Sequence, residues 1–64
     1  MQISIVIPAY NEEKTIAQVL DQVLTKVNHL GEIIVIDDGS TDKTGEICQQ
    51  FVYDHPKVHY FLKP

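Results

Sequence analysis

Two short segments hold most of the side chains in this chain that could do chemistry. Tyr10, Glu12 and Glu13 follow an apolar run that stops at Pro8, and Asp37 and Asp38 follow a second apolar run, residues 33–36. Carboxylates accept hydrogen bonds and repel phosphate. They suit the neutral, donor-rich part of a nucleotide: ribose hydroxyls, the N3–H of uracil, or the N1–H and amino group of guanine. Tyr10 adds a flat ring against which a base could lie. These residues predict a nucleoside lying across both segments, with Asp38 on the base and Glu12 near the ribose or base. A diphosphate attached to it would sit beside several acids, which calls for a divalent cation. Nothing in the sequence clearly supplies that cation's main ligands, so they are expected beyond Pro64.

Both segments need a frame that brings strand ends together. Residues 3–7 are dense in β-branched side chains and read as a strand buried on both faces, ended by Pro8, which has no N–H for a ladder. Asn11 suits a helix N-cap, with Glu12 and Glu13 in the first turn. Ile16, Val19, Leu20, Val23, Leu24 and Val27 then recur at helical spacing. Residues 28–31 end that helix, with Gly31 available for a left-handed cap. A second strand over 32–36 leads to a turn at Gly39, and Ser40 or Thr41 can cap a second helix with Asp42 in its first turn. Thr44, Ile47, Cys48, Phe51 and Val52 mark its inner face, and Gly45 is a weak point inside it. Residues 54–56 break this helix, and 58–62 read as a third strand.

The order β-α-β-α-β, with right-handed crossovers, predicts a parallel α/β sheet in spatial order 3-2-1. Strand ends are where open α/β sheets bind ligands. Such a sheet needs cover on both faces, whereas these crossovers put both helices on one. Residues 1–64 therefore read as an incomplete domain, the amino-terminal piece of something larger, with the first strand's other side unpaired and self-association through the exposed sheet edge expected.

Composition narrows the function. Nine acids, five lysines and no arginine give a net charge of −4 over 64 residues, which disfavours nucleic-acid binding. Glu12, Glu13, Asp37, Asp38 and Asp42 form an acidic rim with only Lys14 and Lys43 nearby in sequence. A chain this short buries only about 60% of the surface its unfolded form exposes. Cys48 is the single cysteine, so no internal disulfide is available, and its place on the helix stripe marks it as a small buried group. The apolar runs fall short of the roughly 20 residues that span a bilayer, and no basic region opens a secretory signal. A reduced, cytoplasmic setting fits. No glycine-rich phosphate loop follows either strand, and the aspartates around Gly39 lack calcium-loop spacing. His29, His55 and His59 are scattered and read as surface or strand-end residues. Lys57 and Lys63 read as solvated.

The run Ser4-Ile5-Val6-Ile7-Pro8-Ala9-Tyr10-Asn11-Glu12-Glu13, with Ile34-Val35-Ile36-Asp37-Asp38-Gly39-Ser40-Thr41-Asp42-Lys43-Thr44, resembles the start of family 2 glycosyltransferases of the GT-A fold. The similarity is closest to the dolichyl-phosphate mannose synthase-like and polyprenyl-phosphate sugar transferase branches, and it covers essentially the whole chain. It implies a three-layer-type, Rossmann-like GT-A half-fold. It also implies a sugar transferred from a UDP- or GDP-linked donor to an acceptor such as a polyprenyl phosphate, with inversion and with Mg²⁺ or Mn²⁺. By resemblance, Pro8, Ala9 and Tyr10 give backbone and ring contacts to the donor nucleoside, Glu12 a carboxylate, and Asp38 the acid that meets the base. Asp37 supports them. The family's Asp-x-Asp metal motif and catalytic base follow the third strand, so residues 1–64 are expected to hold nucleoside contacts, no catalytic residue, and no activity alone. Attachment to the cytoplasmic face of a membrane would come from parts not in these residues.

Two rival readings stay open. One is a non-catalytic nucleotide-binding or α/β interaction module. The other is a receiver-like Mg²⁺ site at Asp37-Asp38, although that arrangement places its acidic pair after the first strand and a further aspartate after the third, where Leu62-Lys63-Pro64 has none.

Overall fold

The computed structural model describes residues 1–63; Pro64 lies outside them. Five elements follow one another: β1 (Ile3–Ala9), α1 (Ile16–Lys26), β2 (Leu30–Asp37), α2 (Thr44–Asp54) and β3 (Val58–Leu62). The strands form one parallel sheet with β2 between β1 and β3, the expected Rossmann-like α/β order.

Alternation along the strands decides what is covered. Ile5, Ile7 and Ala9 share a face with Ile33, Val35, Val58 and Tyr60, and that face packs against Ile16, Leu20 and Cys48 of the helices. Ile16, Leu20, Ile33, Val35 and Val58 are buried to 1% exposure or less. Each such side chain contributes about 1.5–3 kcal/mol relative to full exposure. The opposite face carries Val6, Pro8, Ile34, Ile36 and Phe61, and no element lies over it among the described residues. Val6 is 61% and Phe61 57% exposed.

Within the described residues β1 is covered on one face only, and the expectation that Pro8 ends it is wrong. Pro8 sits inside the strand, paired with Ile36. Ile3 donates to the His29 carbonyl and the Ala9 carbonyl accepts from Asp38, so odd-numbered residues face β2. The missing N–H of Pro8 points to the open edge and costs no ladder bond.

The connections also differ from the sequence pattern. Asn11 does not cap α1. It turns the chain in a left-handed conformation (φ 49°), which asparagine tolerates better than most residues. Thr15 is the N-cap, and Glu12 and Glu13 precede the helix, with the Glu12 carbonyl accepting from Thr15 and Ile16. His29, not Gly31, takes the left-handed position after α1 (φ 59°), because β2 already begins at Leu30. Gly39 does make the turn after β2 (φ 87°). The second helix starts at Thr44, beyond Ser40 and Thr41, so Asp42 lies before it rather than in its first turn. Val52, expected inside, is exposed beside Tyr53 at the outer side of β3. Lys57 is not simply solvated: its Nζ donates to the Leu30 carbonyl at 2.9 Å.

Gly45 has a packing reason that propensity conceals. A Cβ there would stand 2.8 Å from the Tyr60 hydroxyl, closer than real side chains come. Gly45→Ala should gain about 1 kcal/mol in helix propensity and lose more by overpacking, for a net loss of about 1 kcal/mol. Chemical denaturation of Gly45→Ala and Tyr60→Phe, singly and together, checks this: the alanine should cost less beside phenylalanine, and a stabilised single variant contradicts it.

Candidate functional site

The site is built from the carboxyl ends of β1 and β2, and the backbone alone brings them together. The register pairs Ala9 with Asp37, and the Asp38 N–H donates to the Ala9 carbonyl at 2.9 Å. Tyr10 and Asp38 consequently leave neighbouring strands at the same height.

The two adjacent aspartates then part company. Asp37 is fully buried. Its Oδ1 accepts the Ser40 N–H at 2.8 Å, and its Oδ2 accepts the Tyr60 hydroxyl at 2.5 Å. Burial alone would raise its pKa, but the hydrogen bonds from Ser40, Tyr60 and the Gly39 backbone outweigh it and hold the carboxyl below its ordinary range. Tyr60 shows the reverse: burial, the hydrogen bond to Asp37 and that residue's charge push the phenol up to about 12. Cys48, beneath them, is raised to about 11 by burial and the Asp37 charge, so its thiol stays protonated. Asp38 is exposed, and its nearest cation is Lys63 Nζ at 3.9 Å, a contact between two solvated groups.

A second set of bonds ties the loop after β1 to the loop after β2. Asn11 N–H donates to Ser40 Oγ at 2.9 Å, and Asn11 Oδ1 accepts Thr41 N–H at 2.8 Å. Glu12 N–H donates to Thr44 Oγ1, Glu13 N–H to Asp42 Oδ2, and Lys43 N–H to Glu13 Oε1. Asp42 Oδ1 accepts both the N–H and the hydroxyl of Thr44. Burial would raise the Asp42 pKa, but its bonds from Thr44 and Glu13 lower it.

The acidic rim thus divides into residues with structural duties and residues that remain available. Asp37, Asp42 and Glu13 accept bonds within the protein. Tyr10, 56% exposed, and the exposed Glu12 and Asp38 keep free side chains. Pro8 is exposed at the edge, whereas Ala9 is buried and offers the site only its backbone. An open groove lined by Asn11, Glu12, Lys14, Thr15 and Asp42 runs beside this ledge without including Tyr10 or Asp38.

The Mg²⁺ or Mn²⁺ implied by the sequence resemblance has no ligand set here. Among the described residues no group of three His, Cys, Asp or Glu side chains could hold a metal ion, and both oxygens of Asp37 are already engaged.

Sequence reading missed Tyr60 and undervalued Asn11 and Thr44. Tyr60 could have been found: alternation from Val58 turns it toward the helices, where a phenol needs a partner. Asn11 reads as a cap and Thr44 as an inner-face helix residue because their cross-loop partners are about thirty residues away in sequence.

A family model described as Glycosyl transferase family 2 matches residues 4–64. The glycosyltransferase GlyG of Streptococcus pneumoniae is 41% identical over 56 residues, 88% of this chain and 19% of that protein. Human dolichyl-phosphate beta-glucosyltransferase is 34% identical over 97% of this chain and 23% of its own length. An undecaprenyl-phosphate 4-deoxy-4-formamido-L-arabinose transferase of Pectobacterium carotovorum is 37% identical over 89% of this chain and 18% of its own. The chain spans less than a quarter of the length of each of these three relatives. No solved structure matches it significantly.

The Asp37–Tyr60 pair fixes how stability should respond to pH. Asp37 has a depressed folded pKa, so its contribution is present above the ordinary value of 3.8 and is lost as pH falls through the lower folded value. Tyr60 is raised, so its contribution is full below 10.0 and is lost as pH rises toward about 12. Asp37→Asn should lower stability at neutral pH by about 1–3 kcal/mol and flatten the acid limb. Tyr60→Phe should flatten the alkaline limb. Urea midpoints across pH measure both, and unchanged limbs contradict the assignment.

Proposed function

The chain belongs to glycosyl transferase family 2, and we propose that its two strand-end loops hold the nucleoside of a UDP- or GDP-linked sugar donor. The observation that carries this reading is the division between the two aspartates. Asp37 is buried and saturated, while Asp38, one residue later, is exposed on a turn fixed by Asp37 and by the Ala9 carbonyl. A carboxylate on a fixed backbone, with its oxygens free of hydrogen bonds within the protein, can accept N–H groups of a base.

In this reading Tyr10 lies against the base or ribose, Asp38 accepts from the base, and Glu12 accepts from ribose hydroxyls or the base. The backbone at Pro8 and Ala9 shapes the floor, and Asp37 supports. The local charge is unfavourable for a diphosphate, so Mg²⁺ or Mn²⁺ ligands and the groups that activate an acceptor come from outside residues 1–63. The activity of the whole protein is then sugar transfer from the nucleotide donor. Similarity to dolichyl-phosphate and undecaprenyl-phosphate sugar transferases supports a polyprenyl phosphate as acceptor, and in this reading the acceptor is met at the cytoplasmic face of a membrane. None of the helices described is long and apolar enough to cross a membrane.

Nucleotide titration by calorimetry, with and without Mn²⁺, tests the reading. UDP or GDP should bind, and Asp38→Ala should weaken that binding about 10-fold or more, the scale of a hydrogen bond to a charged group. Unchanged affinity in Asp38→Ala removes the base-contact role. The uncovered apolar face around Val6 and Phe61 should also make the 64-residue chain self-associate by itself. Sedimentation showing a monomer at all concentrations would count against that.

A further inference from the structure

One fully buried hydroxyl lies where the two site loops meet. Thr44 has no exposed surface. Its Oγ1 donates to Asp42 Oδ1 at 2.5 Å and accepts the Glu12 N–H at 2.8 Å. Asp42 Oδ2 accepts the next amide, Glu13 N–H, at 3.2 Å. The carboxylate therefore reaches the loop after β1 twice, directly at Glu13 and through Thr44 at Glu12. A hydroxyl that donates to a carboxylate is polarised, which makes its oxygen a better acceptor for a backbone N–H.

Glu12 is the residue that most needs this fixing. Its carbonyl is committed to α1, accepting from Thr15 and Ile16 at 3.0 and 2.9 Å. Its side chain is free, and its neighbour Asn11 is in a left-handed turn. With the N–H held by Thr44, the Glu12 backbone is held on both sides. Without it, the amide loses its partner and the loop between β1 and α1 is fastened to the other chiefly through Asn11 and Glu13.

We propose that Thr44 is a positioning residue: the relay Asp42–Thr44–Glu12 sets where Tyr10 and Glu12 stand relative to Asp38, and so sets the span across which the nucleoside binds. This rests on the nucleoside reading above. A plain packing role for Thr44 makes a different prediction, because packing depends on the methyl group and positioning on the hydroxyl. Thr44→Val keeps shape and removes the hydroxyl, while Thr44→Ser keeps the hydroxyl and removes the methyl.

Amide hydrogen exchange by NMR and titration with UDP and GDP separate the two. In Thr44→Val the Glu12 amide should exchange about 10-fold faster and nucleotide affinity should fall about 10-fold, the loss of one buried hydrogen bond. Thr44→Ser should restore both to within about 2-fold of the parent, even if its melting temperature drops. Thr44→Val that keeps Glu12 protection, or that loses it and still binds as the parent does, overturns the proposal. So does Thr44→Ser behaving like Thr44→Val. Should Thr44→Val fail to fold, Asp42→Asn weakens the same relay from its other end, and unchanged Glu12 exchange there is equally decisive. A parent protein that binds neither nucleotide defeats the nucleoside reading alone, and the exchange data then decide the relay.

Discussion

A buried carboxylate with both oxygens engaged governs this structure. Asp37 ends the central strand, and the elements on either side of it are arranged around its charge. Tyr60 of β3 donates a hydroxyl hydrogen bond to it, the turn after β2 donates the Ser40 N–H, and Gly45 of α2 leaves the room that Tyr60 needs. A buried, unpaired carboxylate would cost several kcal/mol. The chain avoids that cost only by placing a strand, a turn and a helix in one mutual arrangement. Because Ser40 is thus held, its hydroxyl is in place to accept from Asn11, and order passes from the core to the loop after β1.

The consequence for function is a separation of roles within one acidic segment. A row of carboxylates at a sheet end repels itself and repels phosphate. Here Asp37 and Asp42 each accept two or more hydrogen bonds from N–H or O–H donors, and Glu13 accepts one from the Lys43 amide, which spreads their charge into the backbone. Asp38 and Glu12 are left with free oxygens beside an exposed tyrosine. The rigid carboxylates hold the loops, and the free ones meet solvent or a ligand. Pre-ordering of this kind lowers the entropy a ligand must lose on binding.

Much of the fold was legible in the sequence because it rests on period. The stripe from Ile16 to Val27, the inner face from Thr44 to Val52 and the β-branched runs located the helices and strands, and the handedness of crossovers gave their order. What period could not give was the outcome at positions where a side chain bonds across the fold. Asn11 has the chemistry of a cap, yet Ser40 and Thr41 offer it better partners and the helix begins later. Pro8 looks like a strand end, but an edge strand has an N–H that nobody needs. Glu12 and Asp38 do lie exposed at the strand ends, and the structural duty of Asp37 follows from the alternation along β3 that turns Tyr60 toward the helices.

The uneven burial of the sheet explains why the site loops are so heavily bonded. Among the described residues one face of the sheet is bare, so apolar support comes from one side only, and β1 pairs only with β2. Hydrophobic contact therefore cannot fix the loop after β1: of the residues from Tyr10 to Thr15, all are exposed. Directional bonds take over where packing is missing. Between Asn11 and Thr44 the two loops exchange backbone N–H groups for side-chain oxygens in both directions, so neither can shift without breaking bonds on both. Each such bond contributes only about 0.5–1.5 kcal/mol in water-exposed surroundings. The exception is the bond through Thr44, which is shielded from solvent and so holds its geometry most firmly. That shielding makes a threonine outside the ligand ledge the point on which the spacing of the ledge depends.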